Sequence, residues 1–545
     1  MTPAPQQLAV QRGTVRGLLQ LLFGMALLAG FFLPARDPVT HGFALEWRPS
    51  AELAGLLFIL AIAALVSPRL VTGRGCALAV AVLTVTAALL NLADAATPTL
   101  LGRDLNIYWD LQHLPSLAGL ARDSAGPWRM SAAAVLLFLL VLLMLGGAYW
   151  IWRRMLRALT DRRLGIGTAV LLGVALDVTA FVPAEKRPLT TRLGADIVRH
   201  AAAIERGWNA SAGAGPLPAA LAGSGPPRSD LAGLKHRDVY LIYIESYGTT
   251  VFDTPEFYAA LRQSMTQFET ALQDSGYTIA SNRLVSPTFG GGSWLAHATL
   301  ASGVRLDDPV LYARLLDSGR KLLPSYLKDA GWRAIDIMPG IKSPSPEAQA
   351  WGFDREVDAA ELGYRGPAFG WFAIPDQFTL GRATAIRAAL GSEPPVFEQI
   401  VLVSSHIPFT PVPPYVADWA DSGSFATVPA AAWDEIHRQP DWTVLAPAYL
   451  KSLQYDFAVL GDWLAKHLPG NGLVILLGDH QPPAVVGGEL KEWTVPIHVL
   501  SRDPNLVAPF MAAGYVAGLL PTQAPPHAGM EKFLASFLAA FDRPG

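Results

Sequence analysis

The chain has 545 residues, of which 51% are hydrophobic and only 16% are charged. Soluble globular proteins average about 45–50% apolar and about 25% charged residues, so this composition excludes an ordinary cytosolic protein and a disordered chain. The net charge of −3 provides no basic field for nucleic acid. A single cysteine, Cys76, excludes an internal disulfide and a cysteine-ligated metal site.

The N-terminal third of the chain carries five apolar runs with the length of membrane spans. They lie between Arg16 and Arg36, between Glu52 and Arg69, between Arg74 and Asp94, between Arg129 and Arg153, and from Leu164 to Ala184. A membrane-spanning helix needs about 20 mostly apolar residues, so all five runs fit, the second being the shortest. We interpret the first run as a retained helix rather than a signal peptide, because Phe31 to Pro34 make a poor cleavage site.

The arginines predict the orientation of these spans. They cluster before the first span, between the second and third, and between the fourth and fifth: Arg12, Arg16, Arg69, Arg74, Arg153, Arg154, Arg157, Arg162 and Arg163. Because positively charged loops resist translocation, we expect these segments to be cytoplasmic. With five spans and a cytoplasmic N-terminus, everything after Ala184 is then expected to lie outside the cytoplasm.

Composition divides the chain into three predicted segments. Residues 1–187 form a five-span, multi-pass α-helical membrane domain. Residues 188–236 contain an amphipathic helix, from Pro188 to about Ile204, and then a linker rich in Pro, Gly and Ala. Residues 237–545 form a large α/β domain that is expected to be extracytoplasmic.

The third segment alternates between strand-like and helical patterns. Apolar, β-rich runs predict strands at Val239–Ile244, Ala334–Met338, Gln399–Val403, Leu473–Leu477 and Val495–Leu500. Helical patterns occur at Glu256–Ser275, Lys321–Ala330 and Ala448–His467. Such alternation predicts one open, mostly parallel central sheet with helices on both faces.

Chemically active side chains follow these predicted strands. Glu245 follows the first strand, His406 follows the third, Asp479 and His480 follow the fourth, and Ser293 lies after a run of three glycines. Because ligands collect beyond the carboxyl ends of the strands in open α/β sheets, we expect these side chains to meet there.

Three of these side chains form a candidate metal site. Glu245, Asp479 and His480 offer two oxygens and a nitrogen, which suit one divalent cation such as Mn²⁺ or Zn²⁺, with Mg²⁺ as a further candidate. Three protein ligands leave a position for the Ser293 hydroxyl, which the metal would activate as a nucleophile. Each signal alone has a structural explanation, since a strand-end glutamate is often a surface residue and a glycine run is usually a flexible loop. Their joint occurrence at strand ends favours the metal site.

In their order along the chain, these motifs resemble a known family. Glu245 in IYIES, Ser293 in GGGSW, His406 in SSHIPF and Asp479-His480 in LLGDHQ resemble the membrane-bound branch of the alkaline phosphatase and sulfatase superfamily. More narrowly, the chain looks like the lipoteichoic acid synthase and phosphoglycerol transferase family, whose members have five N-terminal spans, a linker and an extracytoplasmic sulfatase-like domain.

The resemblance implies roles for individual residues and a location. Glu245, Ser293, Asp479 and His480 would bind the metal, Ser293 would be the catalytic nucleophile, and His406 would act near the substrate phosphate. A bacterial cytoplasmic (inner) membrane is implied, with the catalytic domain in the periplasm or outside the cell.

The sequence departs from this family at two places. The nucleophile is serine where the family usually has threonine, which preserves the chemistry. After the strand that ends at Met338, the family has a histidine-containing turn and an arginine that help to hold glycerol phosphate, whereas this chain has Pro339-Gly340-Ile341-Lys342. Lys342 and Arg355 are the candidates to supply the substrate-binding charge instead.

These observations predict a metal-dependent membrane phosphotransferase. The head group of a phospholipid donor, with phosphoglycerol favoured, would pass through phospho-Ser293 to a hydroxyl of a glycan or lipid acceptor. Phosphoethanolamine transfer and phosphodiester hydrolysis are alternatives on the same site, although phosphoethanolamine transferases often carry several periplasmic disulfides. Sulfate-ester hydrolysis is disfavoured, because the sequence after Ser293 lacks the Pro and Arg of a sulfatase nucleophile motif. A non-catalytic sensor or assembly protein is the alternative from another class, and the complete set of site residues argues against it.

Overall fold

The computed structural model describes residues 5–36, 43–101, 104–108, 110–111, 114, 127–183, 186–211, 221, 225–226, 229–342, 347–436, 444–468, 470–487, 493–520 and 528–542. The chain divides into two compact units, one of residues 1–99 and 104–206 and the other of residues 100–103 and 207–545. The first unit holds the apolar helices, and the second holds an α/β domain.

The first unit is almost entirely helical. Its elements are α1 (Pro5–Gly30), β1 (Pro34–Arg36), β2 (Phe43–Leu45), α2 (Ala51–Val66), α3 (Pro68–Thr72), α4 (Arg74–Leu101), α5 (Pro127–Ala158), α6 (Arg162–Phe181) and α7 (Arg192–Ser211). Helix α1 packs against α5, and α2 packs against α6. Among the described residues, four helical segments are long and apolar enough to cross a membrane, namely Gly13–Gly30, Arg74–Thr97, Trp128–Ala158 and Arg162–Phe181.

The second predicted span, α2, is shorter than the other four. It is an apolar helix of 16 residues, which corresponds to about 24 Å at a rise of 1.5 Å per residue. The hydrocarbon core of a bilayer is about 30 Å thick. Ser67 ends α2 and Pro68 begins α3, so two helices replace the single predicted one. The crossing of the membrane by α2 therefore stays a prediction.

Helix α7 is bound to the ends of two apolar helices. Glu52, in the first turn of α2, accepts a hydrogen bond of 2.7 Å from the backbone N–H of Gly194. Asp94 on α4 lies 2.7 Å from Arg199 Nη2 and 2.7 Å from His200 Nε2. Most of the predicted linker that follows, residues 212–220, 222–224 and 227–228, lies outside the described part of the chain.

The second unit alternates strands and helices. Its strands and helices are β3 (Val239–Ile244), α8 (Thr250–Asp253), α9 (Pro255–Asp274), β4 (Thr278–Val285), α10 (Ser293–Ser302), α11 (Pro309–Asp317), α12 (Leu323–Asp329), β5 (Arg333–Met338), α13 (Ala348–Trp351), β6 (Arg355–Asp358), α14 (Ala359–Leu362), α15 (Asp376–Ala389), β7 (Val396–Leu402), α16 (Trp433–Ile436), α17 (Ala446–Asp462), β8 (Leu473–Gly478), α18 (Ala484–Gly487), β9 (Thr494–Ser501), α19 (Pro504–Ala512), β10 (Val516–Ala517), β11 (Ala528–Gly529) and α20 (Phe533–Phe541). Short 3₁₀ segments lie at Ala232–Leu234, Trp419–Asp421, Ala430–Ala432 and Met530–Lys532, and a π-helical turn lies at Trp463–His467.

The strands of this unit form one nine-stranded sheet, in the order β10-β4-β9-β8-β3-β7-β5-β6 with β11 beside β4. The strands from β8 to β6 are parallel to one another, whereas β9 runs antiparallel to both β8 and β4. Each face of the sheet is buried in its own hydrophobic core. In β3, Leu241 and Tyr243 contribute to one core, and Tyr240 and Ile242 contribute to the other.

The fold class predicted from the sequence is confirmed, because apolar helices are followed by an α/β unit with a mostly parallel central sheet. All five predicted strands are present, and Val239–Ile244 has the predicted bounds. The apolar pattern does not predict β4, because Ser281, Asn282 and Arg283 interrupt it. Strand β4 nevertheless pairs along its whole length with β9.

Candidate active site

Three neighbouring parallel strands deliver the candidate residues to one edge of the sheet. Ile244 of β3 is paired with Leu402 of β7 on one side and with Gly478 of β8 on the other. The residues that follow these three strands therefore leave the sheet at the same level. This is the carboxyl edge, where the sequence predicts the site.

A glycine allows the ends of β3 and β8 to approach each other closely. A Cβ atom on Gly478 would overlap the backbone carbonyl of Tyr247. Between the strand ends, Ser246 has a φ of 57°, in the left-handed region that residues other than glycine rarely adopt. This conformation directs the Ser246 N–H to Asp479 Oδ1, at 2.9 Å.

Backbone groups fix the carboxylate of Asp479. Its Oδ1 accepts hydrogen bonds from the N–H groups of Ser246, at 2.9 Å, and His480, at 2.7 Å. Its Oδ2 is buried and has no hydrogen-bond partner among the described residues. A buried carboxylate oxygen without a partner is costly, and a bound cation would satisfy it.

His480 is held in the tautomer that a metal ligand needs. Its Nδ1 lies 2.8 Å from the carbonyl oxygen of Gln481. Because that oxygen can only accept, Nδ1 carries the hydrogen and donates it. The other ring nitrogen, Nε2, lies 3.3 Å from Glu245 Oε1 and 3.6 Å from Asp479 Oδ2.

Ser293 is the first residue of α10 and follows a glycine loop. Gly290, Gly291 and Gly292 have φ angles of 67°, 153° and 79°, which glycine adopts without steric cost. The loop brings Ser293 Oγ to 3.1 Å from Glu245 Oε2 and 3.2 Å from His480 Nε2. At the N-terminus of a helix, the backbone dipoles also favour negative charge.

Glu245, Asp479 and His480 together fit a divalent cation. All three are buried, and their ligand atoms lie within 4.8 Å of one another. Within the described residues this is the one group of histidine, cysteine or acidic side chains close enough to hold a metal ion. Two carboxylates and an imidazole suit Zn²⁺ or Mn²⁺, and the Ser293 hydroxyl lies against two of the three side chains.

In the metal-free site these side chains shift one another's pKa. Burial opposes the charged form of His480, but the charges of Asp479 and Glu245 outweigh it and raise the pKa of His480 to about 9. Burial, helped by the Glu245 charge, raises the pKa of Asp479 to about 7. Burial also acts to raise the pKa of Glu245, but the charge of His480 prevails and lowers it. A protonated imidazole between carboxylates thus supplies the positive charge that a metal would bring.

His406 lies half-buried beyond the end of β7. Its Nδ1 is 2.7 Å from the carbonyl oxygen of Ile407 and donates to it, which leaves Nε2 as the acceptor of the neutral ring. The ring packs against Trp371 and Phe372, with centroid distances of 5.4 and 4.7 Å. Burial lowers the pKa of His406, against the attraction of the Glu245 charge. A neutral histidine of this kind can accept a proton from a hydroxyl group.

The two predicted substrate-binding cations lie in different places. Lys342 is exposed on the loop that follows β5, at the carboxyl edge of the sheet. Arg355 begins β6, where it is paired with Ile335 rather than with Met338 at the end of β5. It forms an exposed ion pair with Glu361. The structure therefore does not bring Arg355 to the edge where the metal ligands meet, and only Lys342 is retained in the proposal below.

Comparison with known proteins finds neither a matching family model nor a matching curated protein. Solved structures do match. A protein in the alkaline phosphatase superfamily from Vibrio parahaemolyticus is 13% identical with a TM-score of 0.33, over 51% of this chain and 62% of that one. The lipoteichoic acid synthase LtaP from Listeria monocytogenes is 12% identical with a TM-score of 0.35, over 58% and 76%. The Streptococcus pyogenes phosphoglycerol transferase GacH, in complex with sn-glycerol-1-phosphate, is 11% identical with a TM-score of 0.34, over 58% and 87%.

His297 is a site neighbour that the sequence analysis missed. It lies one turn after Ser293 on α10, and its ring faces that of Tyr243 with 3.8 Å between centroids. Burial lowers the pKa of His297 to about 3, so the ring is neutral. The available signal is the spacing of four residues from Ser293, which places both side chains on one face of a helix.

A pair of buried acids supports the segment that carries His406. The Asp376 carboxylate accepts hydrogen bonds from the N–H groups of Val403, at 2.8 Å, and Ser404, at 3.0 Å. Burial and the Asp376 charge raise the pKa of Asp456 well above its ordinary value, which favours the protonated form of this second acid. Both acids lie in helices, and nothing in their local sequence marks them as a pair.

Taken together, the carboxyl edge holds the Ser293 hydroxyl, three side chains that could ligate a cation, and His406. A nucleophile beside a cation site suits attack on a centre that carries negatively charged oxygens, such as a phosphate ester.

Proposed function

We propose that this protein is a membrane phosphotransferase that moves the head group of a phospholipid, preferably phosphoglycerol, to a hydroxyl of a glycan or lipid acceptor. The observation that carries the proposal is the position of Ser293 Oγ, 3.1 Å from Glu245 Oε2 and 3.2 Å from His480 Nε2. A hydroxyl so close to two cation-ligating side chains has the place of an activated nucleophile. The preference for phosphoglycerol rests on the resemblance of the four sequence motifs.

Glu245, Asp479 and His480 would hold one divalent cation, Mn²⁺ or Zn²⁺, with Ser293 as the fourth ligand. Such a cation lowers the pKa of a bound hydroxyl and offsets negative charge on phosphoryl oxygens. Asp479 Oδ2, which is buried without a hydrogen-bond partner among the described residues, would be one of the ligand atoms.

The reaction proceeds in two half-reactions, each of which uses side chains of this protein. In the first, Ser293 Oγ loses its proton and forms a bond to phosphorus as the bond from phosphorus to the diacylglycerol oxygen breaks. The departing oxygen gains a proton, and phospho-Ser293 remains. In the second, His406 Nε2 accepts the proton of the acceptor hydroxyl, whose oxygen bonds to phosphorus while the bond to Ser293 Oγ breaks and that oxygen is reprotonated. Lys342 attracts the anionic head group to the site.

The apolar helices give the reaction its location. They would hold residues 237–545 beside the bilayer, on the periplasmic or extracytoplasmic side of the cytoplasmic membrane, with residues 1–187 as the five-span domain and residues 188–236 as the connection. Anchoring raises the effective concentration of a lipid donor at the site.

Trapping of the covalent intermediate tests this function. Full-length protein in detergent is incubated with Mn²⁺ and phosphatidylglycerol, and its intact mass and peptide map are measured. We expect a phosphoglycerol adduct on the peptide that contains Ser293. Ser293→Ala should lose the adduct and keep bound metal, and Ser293→Thr should retain turnover, because the hydroxyl stays.

Ser536→Ala, on the exposed face of α20, is the matched control and should behave as the parent chain. Full turnover by Ser293→Ala would contradict the mechanism. A parallel reaction with phosphatidylethanolamine decides the head group, and release of free glycerol phosphate without an acceptor would identify a hydrolase.

A further inference from the structure

The first unit contains a polar cavity of 540 Å³ at one end of three apolar helices. The N-terminal part of α1, the last turn of α5 and the beginning of α6 surround it. The polar side chains that line it are Arg16, Gln20, Arg157, Thr160, Asp161 and Arg162. None of these residues belongs to the candidate active site.

If the three apolar helices cross a bilayer, the cavity is expected to lie at the membrane–water interface. The apolar segments of the three helices begin or end beside the cavity, at Gly13 on α1, Ala158 on α5 and Arg162 on α6. About one turn before Arg157 on α5, the guanidinium of Arg154 lies 3.7 Å from the ring centroid of Trp150. Tryptophan and arginine at the ends of apolar helices are typical of the head-group region of a bilayer.

The positive charge of the cavity is not neutralised by the part of the protein that the structure describes. Arg16, Arg157 and Arg162 are exposed, and none of them forms an ion pair with a described residue. Asp161 is the one acid in the lining. Its carboxylate is already engaged, because Oδ2 accepts from the Thr14 hydroxyl at 3.0 Å and Oδ1 caps the first turn of α6.

The walls of the cavity are held in place without a ligand. The hydrogen bond from Thr14 to Asp161 joins α1 to α6. Gly17 lets the same two helices pack closely, because a Cβ atom there would run into the side chain of Leu164. A ligand would therefore meet arginines on three helices whose relative positions are already fixed, so that binding orders only the exposed side chains.

We propose that this cavity binds the phosphate of an anionic lipid in the leaflet at which α1 begins, which is the cytoplasmic leaflet in the predicted orientation. Arginine presents several N–H donors in a fixed plane and binds phosphate oxygens in pairs. Basic pockets between membrane helices on the cytoplasmic side are known to bind anionic head groups. Gln20 and Thr160 would meet the hydroxyls of a glycerol head group. The proposal is independent of the proposed function.

Lipid binding to the full-length protein in detergent tests this site, with native mass spectrometry as the readout. The probes are phosphatidylglycerol, phosphatidylcholine and inorganic phosphate. The test variant is Arg157→Gln/Arg162→Gln, and the matched control is Arg69→Gln/Arg163→Gln, which removes two exposed arginines that do not line the cavity. Because each arginine near anionic lipid contributes about a fivefold gain in affinity, the test variant should lose about 25-fold for phosphatidylglycerol and the control less than about twofold.

Several results would overturn the site. These are an equal loss in the control, binding of phosphatidylcholine as tight as that of phosphatidylglycerol, or displacement of the lipid by equimolar inorganic phosphate, which would identify a site for the free anion. Arg16→Gln, which changes a different helix, should give the fivefold loss alone, and an unchanged affinity in this variant would also contradict the proposal. Thermal melting of each variant verifies that the helices still fold.

Discussion

His480 Nε2 lies 3.3 Å from Glu245 Oε1, and this contact makes metal binding compete with a proton. The charges of Asp479 and Glu245 raise the pKa of His480 to about 9, so its ring is protonated at pH 7 when no metal is bound. A metal ligand must be deprotonated, and binding therefore releases that proton. We expect the affinity for Mn²⁺ to rise about tenfold per pH unit from pH 7 and to level off near pH 9. Calorimetry in buffers of different ionisation enthalpy measures the released proton, and a flat affinity between pH 7 and pH 9 would contradict this assignment.

Asp479→Asn should abolish metal binding without unfolding the protein. The amide oxygen of asparagine can still accept from the N–H groups of Ser246 and His480, so the loop stays in place. The uncharged Nδ2 cannot ligate a cation, and we expect affinity to fall by at least about 100-fold. Asp456→Asn is the matched control, because this acid is also buried, asparagine keeps its shape, and it lies outside the ligand set. Metal content by mass spectrometry and thermal melting are measured for both variants. Equal loss of metal in both variants would contradict the assignment of Asp479 as a metal ligand.

Gly478→Ala should damage the site through the backbone. A methyl group there would overlap the backbone carbonyl of Tyr247 and push apart the ends of β3 and β8. We expect a loss of stability of about 3 kcal/mol or more and a loss of bound metal. Gly381→Ala, within α15, is the control. A Cβ atom there would make only ordinary van der Waals contact with Trp419, and alanine favours a helix. Comparable melting temperatures of the two variants would show that the strand ends can move apart.

Glu398 makes the stability of the α/β unit depend on pH. It is buried in β7, and neither of its carboxylate oxygens has a hydrogen-bond partner among the described residues. Burial, helped by the Asp238 charge, raises the pKa of Glu398 to about 8. Because the folded pKa exceeds the unfolded one, stability is highest below the unfolded pKa and falls as pH rises toward 8, by about 1.4 kcal/mol per unit.

Glu398→Gln keeps the neutral shape of this side chain and should make the decrease in stability shallower by about 1.4 kcal/mol per pH unit. The buried Asp336 and Asp479, whose pKa values are raised to about 8 and about 7, keep the remaining pH dependence. Thermal unfolding of the full-length protein and the variant between pH 5 and pH 9 provides the comparison. Parallel curves would mean that Glu398 is already ionised in the folded state.

Reporter fusions test the orientation and the crossing by α2. A reporter after Thr72 and another after Arg157 should be active in the cytoplasm, and one at Gly545 should be active outside it, because the arginine-rich segments resist translocation. If α2, with 16 residues, does not cross, the reporter after Thr72 will instead lie on the same side as residue 45. Activity of the Gly545 fusion in the cytoplasm would separate the α/β unit from lipid in the outer leaflet.

The sequence was sufficient to predict that Glu245, Asp479 and His480 lie together, because these residues follow apolar strands directly. Val239–Ile244 is a continuous buried run, and parallel strands place the residues after them at a common edge. Arg355 was a candidate for its charge alone, and the structure places it beside Ile335 at the beginning of β6, a strand of four residues at the sheet margin that the sequence pattern does not predict.

The residues that support the site could not be predicted from the pattern of apolar strands. Asp376 and Asp456 are far apart in the chain and meet only because α15 and α17 pack side by side. Prediction of His297 as a neighbour of the site requires that a helix begin at Ser293. The glycine run before Ser293 gives no sign of that helix. The break between α2 and α3 is similarly hidden in an apolar run, where only Ser67 and Pro68 mark it.

The hydrogen bond from Ser246 N–H to Asp479 Oδ1 joins residues that are 233 positions apart. During synthesis, Glu245 leaves the ribosome or translocon long before β8 does. Until β8 pairs with β3, Glu245 is the only one of the three candidate ligands at that place. The candidate metal site therefore does not exist until β8 pairs with its neighbour β3, and a cation that needs all three ligands can bind only after that pairing. We expect the compartment in which the α/β unit folds, rather than the one in which it is synthesised, to decide which ion is available to the site.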